Sequence, residues 1–398
     1  MDTYLSQKAE ADAAIVQAFG DDATVSDNHD DSSFRFFSQN ICGLKIQNNL
    51  TNLLDIVGFL SSFRTALVGL AETNVNWSLP EPFALVEMQL RLGFNHARMA
   101  TSSSGLGSKS MYQAGDTLTA ALGRWCGRKM DAGSDDVGDF SWIRLRGRRG
   151  RRISFITCYR VSQSSAAGLG DTTAYVQQQT KLRLLGRHPE PREYSLAALT
   201  KFISERTAAG EEVVVAMDAN QPLEESKGRL RSFLNDTGLI DVIGRRHANP
   251  PRTCARSSAR IDFIFISPSL LPAVTKAGHI GLHDAIASDH CGLWIEFDSR
   301  RLFRGQTDQL GSAWDTPFTA REIHKMEKYT AKMEEHLQAT NVESRLEKLR
   351  QRGHAMPDTD FQEEYERISG DVDDAMREGI KAVRRRNVGY ARPPSLTR

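Results

Sequence analysis

Glu212-Val213-Val214-Val215-Ala216-Met217-Asp218-Ala219-Asn220 is the stretch whose reading decides the fold. From Val213 to Ala216 a strand would be apolar on both faces, and such a strand lies buried between other layers rather than at a solvated surface. The polar residues that follow, Asp218 and Asn220, must then emerge at one rim of a sheet. Helical patterns at residues 50–64 and 195–209 alternate with strands of this kind, which argues for an α/β layering.

Four more segments repeat the arrangement in chain order: Ser38-Gln39-Asn40, Ala71-Glu72-Thr73-Asn74, Thr157-Cys158-Tyr159 and Ser288-Asp289-His290. Three of them close apolar runs at residues 34–38, 66–70 and 153–157, and another run, 261–266, precedes the last. Several buried strands ending this way would collect their polar residues in one cluster. Oxygen and amide ligands from Asn40, Glu72, Asp218, Asn220 and Asp289 suit Mg²⁺ or Mn²⁺, which keep much of their water and take few carboxylates plus substrate phosphate. His290 can serve beside phosphate as base, acid or charge stabiliser. The inventory points to metal-assisted phosphodiester hydrolysis.

The same segments, with Ala259-Arg260-Ile261-Asp262-Phe263-Ile264-Phe265-Ile266-Ser267 before the Ser-Asp-His tripeptide, resemble the endonuclease/exonuclease/phosphatase superfamily. Among its branches the resemblance is to the apurinic/apyrimidinic-type endonuclease domain of non-LTR retrotransposons, and it covers roughly residues 34–297. One tripeptide recurs by chance; an ordered set of five with the Arg-Ile-Asp strand is specific. The resemblance implies a four-layer α/β sandwich, two packed mostly antiparallel sheets flanked by helices. It implies Glu72 as principal metal ligand, Asn40 helping to hold the metal site or phosphate, and Asp289 as a second metal or orienting acid. It implies Tyr159 and Asn220 on the phosphate, Asp218 preparing the attacking water, Asp262 orienting the histidine, and His290 contacting phosphate. Either Asp218 or His290 takes the water's proton. Tyr159 sits where the DNase I-like branch has a histidine.

Three positions depart from the family pattern: Met217 for a glycine, Gly292 for a proline, and Arg160 where a small or apolar residue is common. They remove no acid, amide or imidazole and bear on loop geometry. Taken singly, each aspartate or asparagine after a strand also reads as a turn former or helix cap, and Tyr159 as an ordinary strand aromatic. His247, His279 and His283 are expected in polar loops, solvated.

The chain has 398 residues, with Lys+Arg 51 against Asp+Glu 50, enough length for a sizeable core. The near balance hides an acidic start, residues 1–32, expected to be mostly disordered apart from a short helix at 9–19. Residues 33–300 make the main domain, and 301–398 a charged helical extension resembling a retroelement linker. In that extension Thr319-Ala320-Arg321-Glu322 reads as a capping box opening a helix to about residue 338, Asn341 as the cap of a second, and 359–385 as a third. These helices would also serve as an oligomerisation arm.

Residues 142–160 read as a hairpin turning at Gly147-Arg148-Arg149-Gly150-Arg151-Arg152, either a solvated turn, a phosphate-tracking patch or a nuclear import signal. The five cysteines are widely spaced without a Cys-x-x-Cys pair, so neither a disulfide framework nor a zinc site is expected. No secretory signal or membrane-length apolar run is seen, so a nuclear or cytoplasmic location is expected. DNA is the expected substrate. The same residue set would also serve a phosphatase acting on inositol phosphates or lipids, or persist in a decayed copy that binds DNA without cutting.

Overall fold

The computed structural model describes residues 15, 17–24, 32–46, 50–106, 110–162, 170, 172–224, 229–304, 322–352 and 358–383. The chain divides into two compact units, residues 1–313 and 314–398. In the first, the strands are β1 (Phe19–Gly20), β2 (Ser33–Asn40), β3 (Leu67–Ala71), β4 (Ala97–Thr101), β5 (Thr117–Leu122), β6 (Lys129–Ser134), β7 (Phe140–Arg146), β8 (Arg152–Tyr159), β9 (Glu212–Asp218), β10 (Ile240–Asp241), β11 (Asp262–Ile266), β12 (Val274–Ile280) and β13 (Gly292–Asp298). Its helices are α1 (Thr51–Ser62), α2 (Pro80–Phe94), α3 (Ala174–Leu184), α4 (Pro191–Ala208), α5 (Leu230–Thr237), α6 (Val242–Arg246) and α7 (Ser299–Leu302).

Two sheets form. One runs β1-β12-β13-β2-β3-β5-β4, the other β10-β11-β9-β8-β7-β6, each with one parallel pair, β2 with β3 and β8 with β9. Strand side chains alternate between faces, and three cores follow from that alternation. Phe34, Phe36, Phe155, Val214, Ile264 and Ile295 meet between the sheets. Phe37, Val68 and Leu70 point outward onto Leu53, Ile56 and Val86 of α1 and α2. Val213, Val215, Met217 and Phe265 point outward onto Leu199, Ile203 and Phe233 of α4 and α5. The result is an α/β sandwich of four layers.

The alternation also aims the candidate site. Asp218 has the parity of Val214 and Ala216, Asn40 that of Phe34 and Phe36, Tyr159 that of Ile153 and Phe155, and Asp262 that of Ile264 and Ile266, all between the sheets. Register brings these ends to one rim: Tyr159 stands opposite Asp218, Asp262 opposite Asp218, and Asn40 opposite Ala71, the residue before Glu72. His290 precedes β13, whose Leu293 pairs with Ser38. Below the rim the seam narrows and becomes polar. A Cβ on Gly69 would meet Thr157 Oγ1 at 2.3 Å, and Thr119 Oγ1 donates to Thr157 Oγ1 at 2.8 Å across the sandwich.

Several expectations are corrected. His279 is not solvated: it lies on β12 with 2% exposure, covered by β1, whose Phe19 pairs with it. His247 is only part-exposed, with Nε2 3.0 Å from the Ala277 carbonyl; His283 is exposed as expected. The cover comes from the acidic start of the chain, where distant strand pairing outweighs a disordered-looking composition. The helix expected at 195–209 begins earlier, because Pro191 opens α4 at a position where its missing N–H costs nothing. The expected helix at 9–19 and the capping box at 319–322 fall mainly outside the described residues.

The hairpin between β7 and β8 forms, but Arg151 grips Glu212 with two donors, and Arg144, Arg152 and Arg206 surround Glu211. The second unit holds α8 (Ile323–Ala339), α9 (Val342–Arg352) and α10 (Asp358–Val383). Val342, Leu349 and Ile368 form its small core, with Leu337 and Val372 against them. Arg345 bridges α9 to Glu364 and Asp371 of α10 at 2.8 and 2.5 Å. All five cysteines are free, and no helix among the described residues is long and apolar enough to cross a membrane.

Candidate active site

Asn40 is the bracket of the site. Its Nδ2 donates to Glu72 Oε2 at 2.8 Å and to Asp218 Oδ2 at 2.7 Å, joining a carboxylate of one sheet to a carboxylate of the other. The Cys42 N–H donates to Asn40 Oδ1 at 2.9 Å and fixes which way the amide faces. The amide therefore orients the two acids with its nitrogen, and its oxygen is already occupied. Tyr159, buried at the end of β8, donates its hydroxyl to Glu72, and burial with the nearby charges of Glu72 and Asp218 keeps that phenol protonated.

Asn220 completes this corner. Its Nδ2 donates to the Arg160 carbonyl at 2.9 Å and lies 3.3 Å from Asp218 Oδ2, while its backbone N–H donates to Asp218 Oδ1 at 3.0 Å. Asn220 has φ +46, and Cys42, Glu72 and Asn74 have φ +47, +51 and +54. Side-chain-bearing residues seldom adopt this left-handed region, and their concentration at one rim is a form of strain that functional sites commonly hold.

Across the rim, His290 Nδ1 faces both oxygens of Asp262 at 3.0 and 3.2 Å. Burial works against a charged imidazole here, but the Asp262 carboxylate outweighs it and raises the His290 pKa, so the ring stays cationic. Asp218 is pushed up to about 7, first by burial and then by the charge of Asp262. Asp289 lies nearer solvent. Its Oδ1 accepts the Cys42 thiol at 2.6 Å, and its Oδ2 is 2.9 Å from Arg256 Nε. Partial burial alone would raise the Asp289 pKa, yet the Cys42 hydrogen bond and the charges of His290 and Arg256 lower it.

An open cleft of about 600 Å³ is lined by Glu72, Tyr159, Asn220, Asp289 and His290, with Cys42 and Arg256 at its edge. All eight residues singled out in the sequence thus gather at one rim. As a cation site the donors fit. Asp218, Asp262 and His290 each offer a ligand atom within 4.8 Å of the others, and among the described residues no other such group occurs. Two of these three are already matched to each other, so the carboxylates free to hold an ion are Asp218 and Glu72, whose oxygens share one amide. Such oxygen donors suit Mg²⁺ or Mn²⁺.

Two buried arginines, which sequence reasoning did not rank, support this corner. Arg160, 4% exposed, donates from its backbone N–H to the Asp218 carbonyl and from its guanidinium to the Arg192 and Ala219 carbonyls and to Gln221 Oε1. Arg192 donates to the Val161 and Asn220 carbonyls. Arg160 had been visible only as a departure from the family pattern. The other departures also resolve. Met217 is buried outward against α4 and α5, and a Cβ on Gly292 would meet the Phe37 ring at 2.5 Å.

No protein-family model matches the chain, and no curated protein matches it. Solved structures with a similar fold do. An AP endonuclease from Leishmania major is 15% identical, with 73% of this chain and 94% of that chain covered and a TM-score of 0.49. A 3′ phosphatase from Neisseria, bound to a product DNA hairpin, is 14% identical over 67% of this chain and 99% of that chain, TM-score 0.47. The human Nocturnin catalytic domain is 15% identical over 67% of this chain and 94% of that chain, TM-score 0.43.

Proposed function

We propose that the chain is a divalent-metal-dependent phosphodiester hydrolase acting on DNA, an endonuclease of the type carried by non-LTR retrotransposons. The observation that carries this reading is the Asn40 amide bridging Glu72 and Asp218 from opposite sheets, beside the Asp262–His290 pair. The retrotransposon assignment rests on the ordered sequence segments.

In the proposed reaction a water oxygen bonds to phosphorus, and the bond from phosphorus to the 3′ oxygen opposite it breaks. Asp218 accepts the water's proton, and the departing oxygen takes one from solvent. His290 is already matched to Asp262 and cationic, so it faces the negative charge that grows on the phosphoryl oxygens and does not act as base. Tyr159 and Asn220 hold the phosphate in line for attack. Glu72 and Asp218, with Asp289 at the rim, would hold Mg²⁺ or Mn²⁺, which when bound neutralises charge on the phosphate and leaving oxygen.

Purified full-length protein incubated with supercoiled plasmid and Mg²⁺ should convert it to open circles. EDTA should abolish the conversion, and His290→Ala should nearly abolish it. Nicking that survives chelation would overturn the metal role. Phosphate release from an inositol phosphate with no nicking would replace the nuclease reading by a phosphatase one, and DNA binding without either would mark a decayed copy.

A further inference from the structure

Among the described residues lining the candidate cleft, Arg256 is the one arginine or lysine, and it shares that lining with the carboxylates of Glu72 and Asp289. Its backbone is fixed. The neighbouring Ala255 N–H donates to the Asp289 carbonyl at 2.8 Å, the Cys291 N–H to the Thr253 carbonyl at 2.8 Å, and the Ser257 N–H to the Cys254 carbonyl at 3.1 Å. Cys254 also bridges to His290 as an isolated β-pair. The loop carrying Arg256 is therefore stapled to the segment that carries Asp289 and His290.

Its side chain is not fixed in the same way. It is 86% exposed and makes a water-exposed pair with Asp289, at 2.9 Å. Pairs of this kind contribute little to stability because solvent screens them and both side chains lose freedom. A phosphate oxygen is a better partner, since the planar guanidinium matches it with two parallel donors. Asp289 would keep the Cys42 thiol hydrogen bond when Arg256 leaves.

Resting on the nuclease reading of this cleft, we propose that Arg256 exchanges Asp289 for a backbone phosphate of the DNA strand beside the scissile one. It would thereby fix the register in which the substrate enters. The arrangement is a rigid loop with a swinging head, so the contacted phosphate is a single one at a constant offset from the cut.

The test is binding, which does not require cleavage. Affinity of the full chain for a fluorescent duplex is measured by anisotropy with Ca²⁺ in place of Mg²⁺, between 50 and 200 mM KCl. Arg256→Gln should weaken binding by about tenfold and lower the slope of log affinity against log salt by about one, the value for one lost phosphate contact. Arg256→Lys should restore part of both. Arg149→Gln removes an exposed charge from the opposite rim and should leave the slope unchanged.

A scan of single neutral methylphosphonates along the strand should then find one position that weakens the wild type and leaves Arg256→Gln unaffected. An unchanged slope in Arg256→Gln, equal sensitivity of wild type and variant at every position, or no DNA binding by the wild type would each overturn the assignment. The nuclease reading fails separately: if the wild type binds with the Arg256-dependent slope but never nicks plasmid, the contact stands and the hydrolase does not.

Discussion

The two rims of the sandwich both carry charged side chains and treat them in opposite ways. At the hairpin rim, Glu211 and Glu212 are each met by arginines, the Arg151–Glu212 pair with side chains only 8% and 13% exposed. At the other rim Glu72, Asp218, Asp262 and Asp289 crowd together, with His290 and the exposed Arg256 as balancing cations. The first arrangement is finished without a ligand; the second leaves negative charge that a cation would complete. Arg152 and Tyr159 end the same strand, so the rims lie about 23 Å apart at roughly 3.3 Å per residue. The arginine turn therefore does not belong to the candidate cleft, and pairing with Glu211 and Glu212 rather than phosphate tracking accounts for Arg151 and Arg152.

The sharpest way to break this comparison is to neutralise the unbalanced rim. Glu72→Gln should lower the nicking rate by about two to three decades, the usual cost of removing one key group from such a site, with unchanged circular dichroism. Retained activity would remove Glu72 from the chemistry. A smaller effect is expected one layer beneath. Arg160→Met keeps the length of the side chain but releases three acceptors around the Asp218–Asn220 turn. Displacing that turn should cost on the order of a hundredfold in rate, and Arg160→Lys should recover part of it.

At the finished rim the same kind of substitution should act on stability. Arg151→Ala leaves Glu212 half-buried and short of a partner, and should destabilise the first unit by about 2 kcal/mol in urea unfolding. Activity per folded molecule should not change. A loss of activity larger than the loss of folded protein would show that the rims communicate.

The effect that is smallest at neutral pH concerns His279, whose ring nitrogens have no hydrogen-bond partner among the described residues and whose pKa burial lowers from 6.5 to about 3. Folded His279 stays neutral while the unfolded chain takes up a proton below 6.5. Stability is therefore full above that pH and falls as pH drops toward 3, by about 1.4 kcal/mol per pH unit. His279→Leu should flatten this acid limb in unfolding curves between pH 7.5 and 5. Parallel limbs for variant and wild type would mean that the imidazole is not held neutral.

Much of this was legible in the chain. Val213 to Ala216 has no polar face to offer water, so burial of β9 and the emergence of Asp218 at its end follow from residue chemistry alone. The same holds for the ends at Asn40 and Tyr159, and for the turn arginines of the β7–β8 hairpin. Sequence could not reveal that His279 is roofed by Phe19, because that contact joins residues 260 positions apart through strand pairing. Nor could it show that Asn40 turns its nitrogen, and not its oxygen, toward the acids, since the Cys42 N–H decides that.

Local patterning determined which residues are buried, which end a strand, and which chemical groups stand at those ends. Only tertiary structure decided which ends meet, because convergence depends on strand register and on the parity of each side chain across two facing sheets. It also decided which charges are spent, Arg151 on Glu212 and His290 on Asp262, and which remain open to a ligand. The reason is physical: polarity is a property of a residue, whereas a partner within hydrogen-bond distance is a property of the fold.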